Sequence, residues 1–305
     1  MKNLISLPKK LTDMPKKATV IISFYNNLKA LKLILSALNQ QTIADFEVII
    51  ADDGSRTEVV EELSSLLKKY NYPIKHEWHT DKGFRKNRIL NKAILAAESE
   101  YLIFIDGDCI PHPSFVEDHL FFSQPNRIVA GRRVLMSERM SNKVNETFIE
   151  HRKLSSFKFY WGLIIDSLIK KSRHVESAIY IPITAINKRF GNYKRGVKGC
   201  NFSVHKHGLL NINGFDMRYE LPCVGEDTDI EYRLKLLGYE VFLPKFRLVQ
   251  YHLFHKPLSR IRLKENNNIF SETIKNRTIK APLGIGQIPK KDFPSHDETK
   301  NKSNF

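Results

Sequence analysis

Three short apolar runs, two of them ending on paired aspartates, constrain this chain more than any other feature. ATVIISFY (residues 18–25) is rich in β-branched residues, and FEVIIADDGS (46–55) and YLIFIDGDC (101–109) run straight into Asp52-Asp53 and Asp106-Gly107-Asp108. Each reads as a buried strand. Between them, Leu28, Leu31, Leu35 and Leu38 fall at helical spacing, which predicts an amphipathic helix over about residues 27–41. Residues 58–70 and 85–97 read as further helices, and IKHEWHT (74–80) as a third strand. Strands alternating with helices at this spacing predict an α/β chain with a parallel, doubly wound sheet. Ligands of such sheets bind beyond the carboxyl ends of the strands, where Asp52, Asp53, Asp106 and Asp108 all fall.

The 305 residues are 42% hydrophobic, ample for a core, and the length suits one large domain or two small ones. Lys and Arg number 49 against 33 Asp and Glu, a formal charge of +16. Such a surface favours anionic partners: nucleic acid, phospholipid head groups, nucleotide phosphates or acidic polysaccharide. Zinc-finger spacing, a recognition-helix pattern and an RNA-binding aromatic signature are all missing, so no nucleic-acid partner is expected. Cys109, Cys200 and Cys223 lack metal-ligand spacing and read as reduced thiols of a cytosolic protein. MKNLISLPKKLTDMPKK opens with charges and prolines where a signal peptide needs an apolar run, and no window approaches the ~18 apolar residues of a membrane span. The expectation is a cytoplasmic protein, at most peripheral at the inner face of an anionic membrane. FKFYWGLIID (157–166), bordered by Lys and Arg, reads either as a core or lid helix or as an interfacial membrane helix. Beyond Phe270 the composition turns polar, and residues 271–305 read as a flexible tail.

Four places carry chemistry. In extended chain the Asp106-Gly107-Asp108 step points both carboxylates to one side, and oxygen ligands of this kind suit Mg²⁺ or Mn²⁺ shared with substrate phosphates. Asp52-Asp53-Gly54-Ser55 is a normal turn sequence, but a carboxylate there can also accept the N–H of a base or the hydroxyls of a ribose. Ser23 and Tyr25 close the first strand beside it, with Tyr25 able to stack on a base. In GEDTDIEYRL (225–234), Glu226, Asp227 and Asp229 precede the inward positions Ile230, Leu234 and Leu237; acids there are ordinary dipole partners or include a general base. In YHLFHKP, His252 and His255 follow an apolar run, and imidazole joining carboxylates tilts metal preference from Mg²⁺ toward Mn²⁺.

Taken in order, VIISFYNN, DDGS and FIDGDC resemble the family 2 glycosyltransferases. Their fold is GT-A, a Rossmann-like, mostly parallel sheet flanked by helices with a C-terminal acceptor-binding subregion. GCNFSV, INGFD and GEDTDIEYRL resemble the C-terminal region of β-galactosyltransferases and bacterial chondroitin-type polymerases, and the likeness runs from about residue 18 to 257. It implies a basic leader (1–17) and a GT-A domain (18–270), whose halves (18–135 and 136–270) serve the nucleotide sugar and the acceptor. Carried over, it assigns Tyr25 and Asp53 to the uracil of a UDP-sugar, and Asp81 with Arg85 to the nucleotide or its phosphates. Asp106 and Asp108 become the Asp-x-Asp motif, Asp108 touching the metal, with His252 as the remaining ligand and His255 in reserve. Asp227 matches the catalytic base, with Glu226 beside it for the acceptor, and Gly131-Arg132-Arg133 and Gly199-Cys200-Asn201 line the donor-sugar pocket.

The resemblance therefore implies an inverting transfer of a hexose or N-acetylhexosamine, galactose or N-acetylgalactosamine foremost, with Mn²⁺ or alternatively Mg²⁺. The acceptor would be a bacterial surface glycan or lipid-linked glycan, in capsule, lipopolysaccharide or exopolysaccharide assembly. Two departures stand out. Leu90-Asn91 occupies the place of an Arg-Asn pair, with Arg88 two positions earlier, and Pro222-Cys223-Val224 replaces a tryptophan before Gly-Glu-Asp. The rival readings are a nucleotidyltransferase, which would want a glycine-rich phosphate loop where ISFYNN stands, and a non-catalytic carbohydrate-binding relative.

Overall fold

The computed structural model describes residues 17–191, 196–220, 225–256 and 263–292. The apolar runs form β1 (Ala18–Phe24), β2 (Phe46–Asp52) and β4 (Tyr101–Asp106), with β3 (Ile74–Trp78) at one edge. Helices α1 (Leu28–Leu38), α2 (Thr57–Leu67) and α3 (Lys86–Ala96) follow β1, β2 and β3. The side chain of Asn27 caps α1 by accepting from the Ala30 amide at 3.2 Å, which ends the strand-to-helix turn cleanly.

β1 to β4 lie in a seven-stranded sheet of order β3-β2-β1-β4-β8-β6-β9, where β6 is Arg127–Ala130, β8 Asn201–His205 and β9 Glu240–Phe242. All its pairings are parallel except those of β8, which opposes both β4 and β6. Alternation along β1 divides the core. Val20 and Ile22 meet Leu31 and Ile34 of α1 and Leu63 of α2, whereas Ile21 joins Ile89, Ala93 and Ile94 of α3 on the opposite face. Helices therefore cover both faces. The strand order reverses between β1 and β4, so the ligand crevice of such a sheet opens at the carboxyl ends of these two strands.

A second, three-stranded sheet supplies what the first lacks. β5 (Cys109–Pro111), β10 (Gln250–His252) and β7 (Val134–Leu135) pair in the order β5-β10-β7, with His252 opposite Cys109. This register carries a residue from late in the chain to the Asp-Gly-Asp turn.

Two expectations need correction. β3 stops at Trp78 rather than at residue 80, because the next residue, His79, turns its ring to the Asp53 carboxylate at 2.8 Å. The expected flexible tail is folded from residue 271 to 292: a helix spans Leu263–Lys275, and Ala281, Ile285 and Ile288 are buried. The Ala281 and Ile285 amides donate to the Ile212 and Asn213 carbonyls at 2.8 and 2.9 Å, and Arg88 pairs with Asp292 at 2.8 Å. A polar segment can be anchored by its backbone, which composition does not register. Cys109 and Cys200 are buried free thiols, and Cys223 lies outside the described residues. Among the described residues no helix is long and apolar enough to cross a membrane.

Candidate active site

The site is built where β1 and β4 end side by side. Ser23 of β1 sits in register with Asp106 of β4 and donates to its Oδ1 at 3.0 Å. Gly107 then lets the turn press against β1, since a Cβ there would stand 2.6 Å from the Ser23 carbonyl oxygen. A side chain at this position would push the two aspartates off the rim.

On the β2 side the two neighbouring aspartates have separate places. Asp52 is fully buried, accepting from the Ser55 amide at 2.8 Å and facing His76 Nε2 at 2.9 Å, so it braces the turn. Asp53 lies at the crevice, held by the Arg85 amide at 2.9 Å and by His79. Gly54 adopts φ +93°, and a Cβ there would meet the Asp81 backbone at 2.6 Å; the glycine thereby brings the Asp81 loop against the Asp53 turn. The Tyr25 hydroxyl donates to Asp81 Oδ2 at 3.0 Å, and this bond raises the phenol's pKa. The Gly83 amide and Tyr25 together lower the pKa of Asp81. Tyr25 and Trp78 are both partly exposed aromatics at this rim. The Arg85 guanidinium turns to the Thr80 carbonyl.

At the Asp-Gly-Asp turn the two carboxylates face different partners. Asp106 meets Lys86 Nζ at 2.8 Å and Arg133 Nη1 at 3.4 Å; burial alone would raise its pKa, but these cations, Lys86 foremost, hold it low. Asp108 Oδ2 faces His252 Nε2 at 3.3 Å and His255 Nε2 at 3.2 Å, and the imidazoles outweigh burial to hold this carboxyl far below the usual range. In return the Asp108 contact lifts His255 to about 9. The Asp108, Cys109 and His252 donor atoms lie within 4.8 Å of one another, as do those of Asp106, Cys109 and Cys200. Burial, with Cys200 beside it, pushes the Cys109 thiol well up, so it stays protonated and lines the site as a neutral neighbour. A carboxylate and an imidazole this close, with His255 also facing Asp108, fit a divalent cation.

Asp227 stands in the first turn of the Glu226–Leu236 helix. Its Oδ2 accepts from the Gly199 amide at 3.0 Å and its Oδ1 from the Thr228 amide at 2.8 Å, which fixes the carboxylate against the loop entering β8. The Glu226 side chain lies outside the described residues. Asp229 and Glu231 point elsewhere: Asp229 is buried against Arg233, and Glu231 accepts from the Val197 amide at 2.6 Å.

Arg132 donates to the carbonyls of Gly131 and Gly196, both at 2.8 Å, and lines a cleft of about 260 Å³ with Phe190, Lys245 and Arg247. Asn201 has no exposed surface. Its amide donates to the Arg132 and Leu248 carbonyls at 3.1 and 2.9 Å, so it holds the Gly131-Arg132 loop from behind. Asn91, at the first departure, clips the INGFD loop by accepting from the Phe215 amide and donating to its carbonyl, each at 2.8 Å. The residue sequence reasoning missed is Lys86. Arg85 and Arg88 stand out in the sequence, yet it is Lys86 that turns inward to Asp106; its place at the first turn of α3, next to the DKGFR segment, is the available signal.

A family model described as Glycosyl transferase family 2 matches residues 19–195 of this chain, more than half its length. The chain is a family 2 glycosyltransferase. This glycosyltransferase is 36% identical over 241 residues to the chondroitin synthase of Escherichia coli, which covers 74% of the chain but only 34% of that enzyme's length. Its fold matches the mannosyltransferase PcManGT from Pyrobaculum calidifontis in complex with GDP-Man and Mn²⁺, with a TM-score of 0.52 at 18% identity over 92% of this chain and 69% of that one. It also matches GalNAc-T7 with UDP, GalNAc and Mn²⁺, with a TM-score of 0.57 at 13% identity over 85% and 48% of the two chains. The fold is GT-A, as the sequence leads one to expect.

Proposed function

We propose that this glycosyltransferase moves a hexose or N-acetylhexosamine, galactose or N-acetylgalactosamine foremost, from a UDP-sugar to a hydroxyl of a bacterial surface glycan or lipid-linked glycan, with inversion. The carrying observation is Asp108 facing both His252 and His255 beside Asp106, at the ends of the central strands. The chondroitin synthase likeness supports a polysaccharide product, and the GalNAc-T7 complex with UDP and GalNAc supports the donor class. The excess of 49 basic over 33 acidic residues supports work at the cytoplasmic face of an anionic membrane.

In this reading Tyr25 and Asp53 hold the uracil, Tyr25 by stacking and Asp53 by accepting its N–H. Lys86 and Arg133, which neutralise Asp106, face the diphosphate and offset its charge. A cation held by Asp108 with His252 and His255 would supply further neutralisation of the departing diphosphate. An Oδ of Asp227 takes the acceptor's hydroxyl proton while the acceptor oxygen bonds to the anomeric carbon. The bond from that carbon to the phosphate oxygen breaks, its electron pair leaves with UDP, and an α-linked donor becomes a β-glycoside.

The test is a binding and hydrolysis panel of UDP-galactose, UDP-N-acetylgalactosamine, UDP-glucose, UDP-N-acetylglucosamine, UDP-glucuronate and GDP-mannose, with Mn²⁺, with Mg²⁺ and with EDTA. Binding of one UDP-sugar that EDTA abolishes is the expected result; no UDP-sugar binding under any condition overturns the reading. Asp108→Ala should weaken Mn²⁺-dependent donor binding by about 10- to 100-fold, the scale of losing a metal-orienting group, and calorimetry finding unchanged affinity would remove Asp108 from the site.

A pH dependence follows from His255. Its folded pKa of about 9 lies above the ordinary value, so below pH 9 a proton occupies the position a metal needs. Metal affinity should rise about tenfold per pH unit from 7 toward 9, and flatten above. Metal-free stability moves the other way. The contribution of His255 is complete below its unfolded pKa of about 6.5 and is lost as pH rises through the folded value near 9. Titration of Mn²⁺ at pH 7, 8 and 9 checks the first trend, and thermal melts in EDTA the second.

A further inference from the structure

The Phe157–Leu168 helix has two apolar faces. At 100° per residue, Phe159, Leu163 and Asp166 fall on one side and are buried. Phe157, Trp161, Ile165 and Leu168 fall on the side directly opposite and stand 75%, 47%, 56% and 76% exposed, with Ile169 just beyond the helix at 58%. The rings of Phe157 and Trp161 meet edge to face at 5.7 Å, so the outer stripe is already ordered. An exposed stripe of this kind on a soluble surface marks an interaction face.

Charge says what the face meets. The helix contains one acid, Asp166, and it is turned inward, bound by Arg139 at 2.8 Å and by the Ser172 hydroxyl at 2.6 Å. Lys158 flanks the stripe, and Lys170 and Lys171 follow its C-terminal end, all three exposed. An apolar stripe with a tryptophan at its middle and lysines at its flank and C-terminal end is the pattern of a helix lying in the plane of an anionic bilayer. The inner face links this surface to the reaction centre. Phe159 packs edge to face on Tyr251, one residue before His252, and the Tyr251 hydroxyl donates to the Leu154 carbonyl at 3.1 Å just upstream of the helix.

We infer that the outer face of the Phe157–Leu168 helix docks this glycosyltransferase on an anionic lipid surface, with Phe157, Trp161, Ile165 and Leu168 in the acyl boundary and Lys158, Lys170 and Lys171 on the head groups. The docking rests on the proposed function only for its use, which is to bring the strand carrying His252 toward a lipid-linked acceptor.

The experiment is co-sedimentation of the full chain with phosphatidylcholine vesicles, with and without phosphatidylglycerol, at two salt concentrations. Alongside it, fluorescence is recorded from a Trp78→Phe variant, which leaves Trp161 as the single tryptophan. Binding confined to anionic vesicles, with a blue shift of Trp161 and quenching by brominated lipid, is expected. Lys170→Glu with Lys171→Glu should weaken partitioning by about fivefold or more per charge. Trp161→Glu with Ile165→Glu should lose vesicle binding while the melting temperature, read at these exposed positions, stays that of the parent. No vesicle binding, or binding that these variants leave intact, overturns the inference. So does self-association abolished by Trp161→Glu in the absence of lipid, which would make the stripe a contact between copies. Vesicle binding is read without sugar nucleotide and donor binding without vesicles, so either reading can fail alone.

Discussion

Asp227→Asn is expected to lower glycosyl transfer by about 10³-fold, the range for loss of a positioned general base, while UDP-sugar binding persists. An asparagine keeps a carbonyl oxygen for the Gly199 amide, which now donates to Asp227 Oδ2 at 3.0 Å, so the loop leading into β8 keeps its place. What disappears is the oxygen basic enough to take a proton. Single-turnover transfer to an acceptor glycan reads the chemical step, and donor titration reads binding. Near-normal transfer by Asp227→Asn together with a collapse in Glu226→Gln would move the base one residue back.

Arg233→Met is expected to destabilise the fold by about 3–5 kcal/mol, the cost of leaving buried charge unpaired. Arg233 has no exposed side chain and meets Asp216 at 3.0 Å and Asp229 at 2.9 Å; Asp216 keeps Arg218 as a second partner, but among the described residues Asp229 pairs with no other cation. Burial already lifts Asp229 to about 6 even with Arg233 opposing it. A carboxyl whose folded pKa is raised contributes stability below its unfolded pKa and loses it as pH climbs through the folded value. The deficit of Arg233→Met should therefore shrink as pH falls from 8 to 5, where Asp229 accepts a proton and the unpaired charge vanishes. Urea unfolding at both pH values checks the sign. A deficit independent of pH would mean that lost packing, not unpaired charge, carries the effect.

The same residues explain how much of the site could be read in advance. Runs such as VII and YLIFI are apolar because both faces of their strands are covered, and that leaves little choice of structure. Their carboxylates fall at strand ends, so the rim followed from the parallel sheet. The acidic helix was less legible. Asp229 and Arg233 share the inward face with Ile230 and Leu234, so the apolar stripe is broken and Glu226, Asp227 and Asp229 look equivalent in the sequence. Only the packed helix separates Asp229, inside, from Asp227 at the Gly199 loop. The run NFSV does not differ in composition from a parallel strand, and its antiparallel direction follows from how the chain returns to β4. His252 and His255 look alike in the sequence, and the curve of the chain after β10 turns both rings to Asp108.

The pairing of β10 with β5 has a consequence for the order of events in synthesis. Asp106 and Asp108 emerge with the first third of the chain, but the imidazole partners of Asp108 arrive only when Gln250–His252 takes its place opposite Cys109–Pro111. Closing so wide a loop is slow compared with forming the neighbouring β1–β2 and β1–β4 pairs. A growing polypeptide can thus form the Asp-Gly-Asp rim long before Asp108 meets its imidazoles. Late pairing of this small strand is therefore what joins the two ends of the chain at the Asp-Gly-Asp turn.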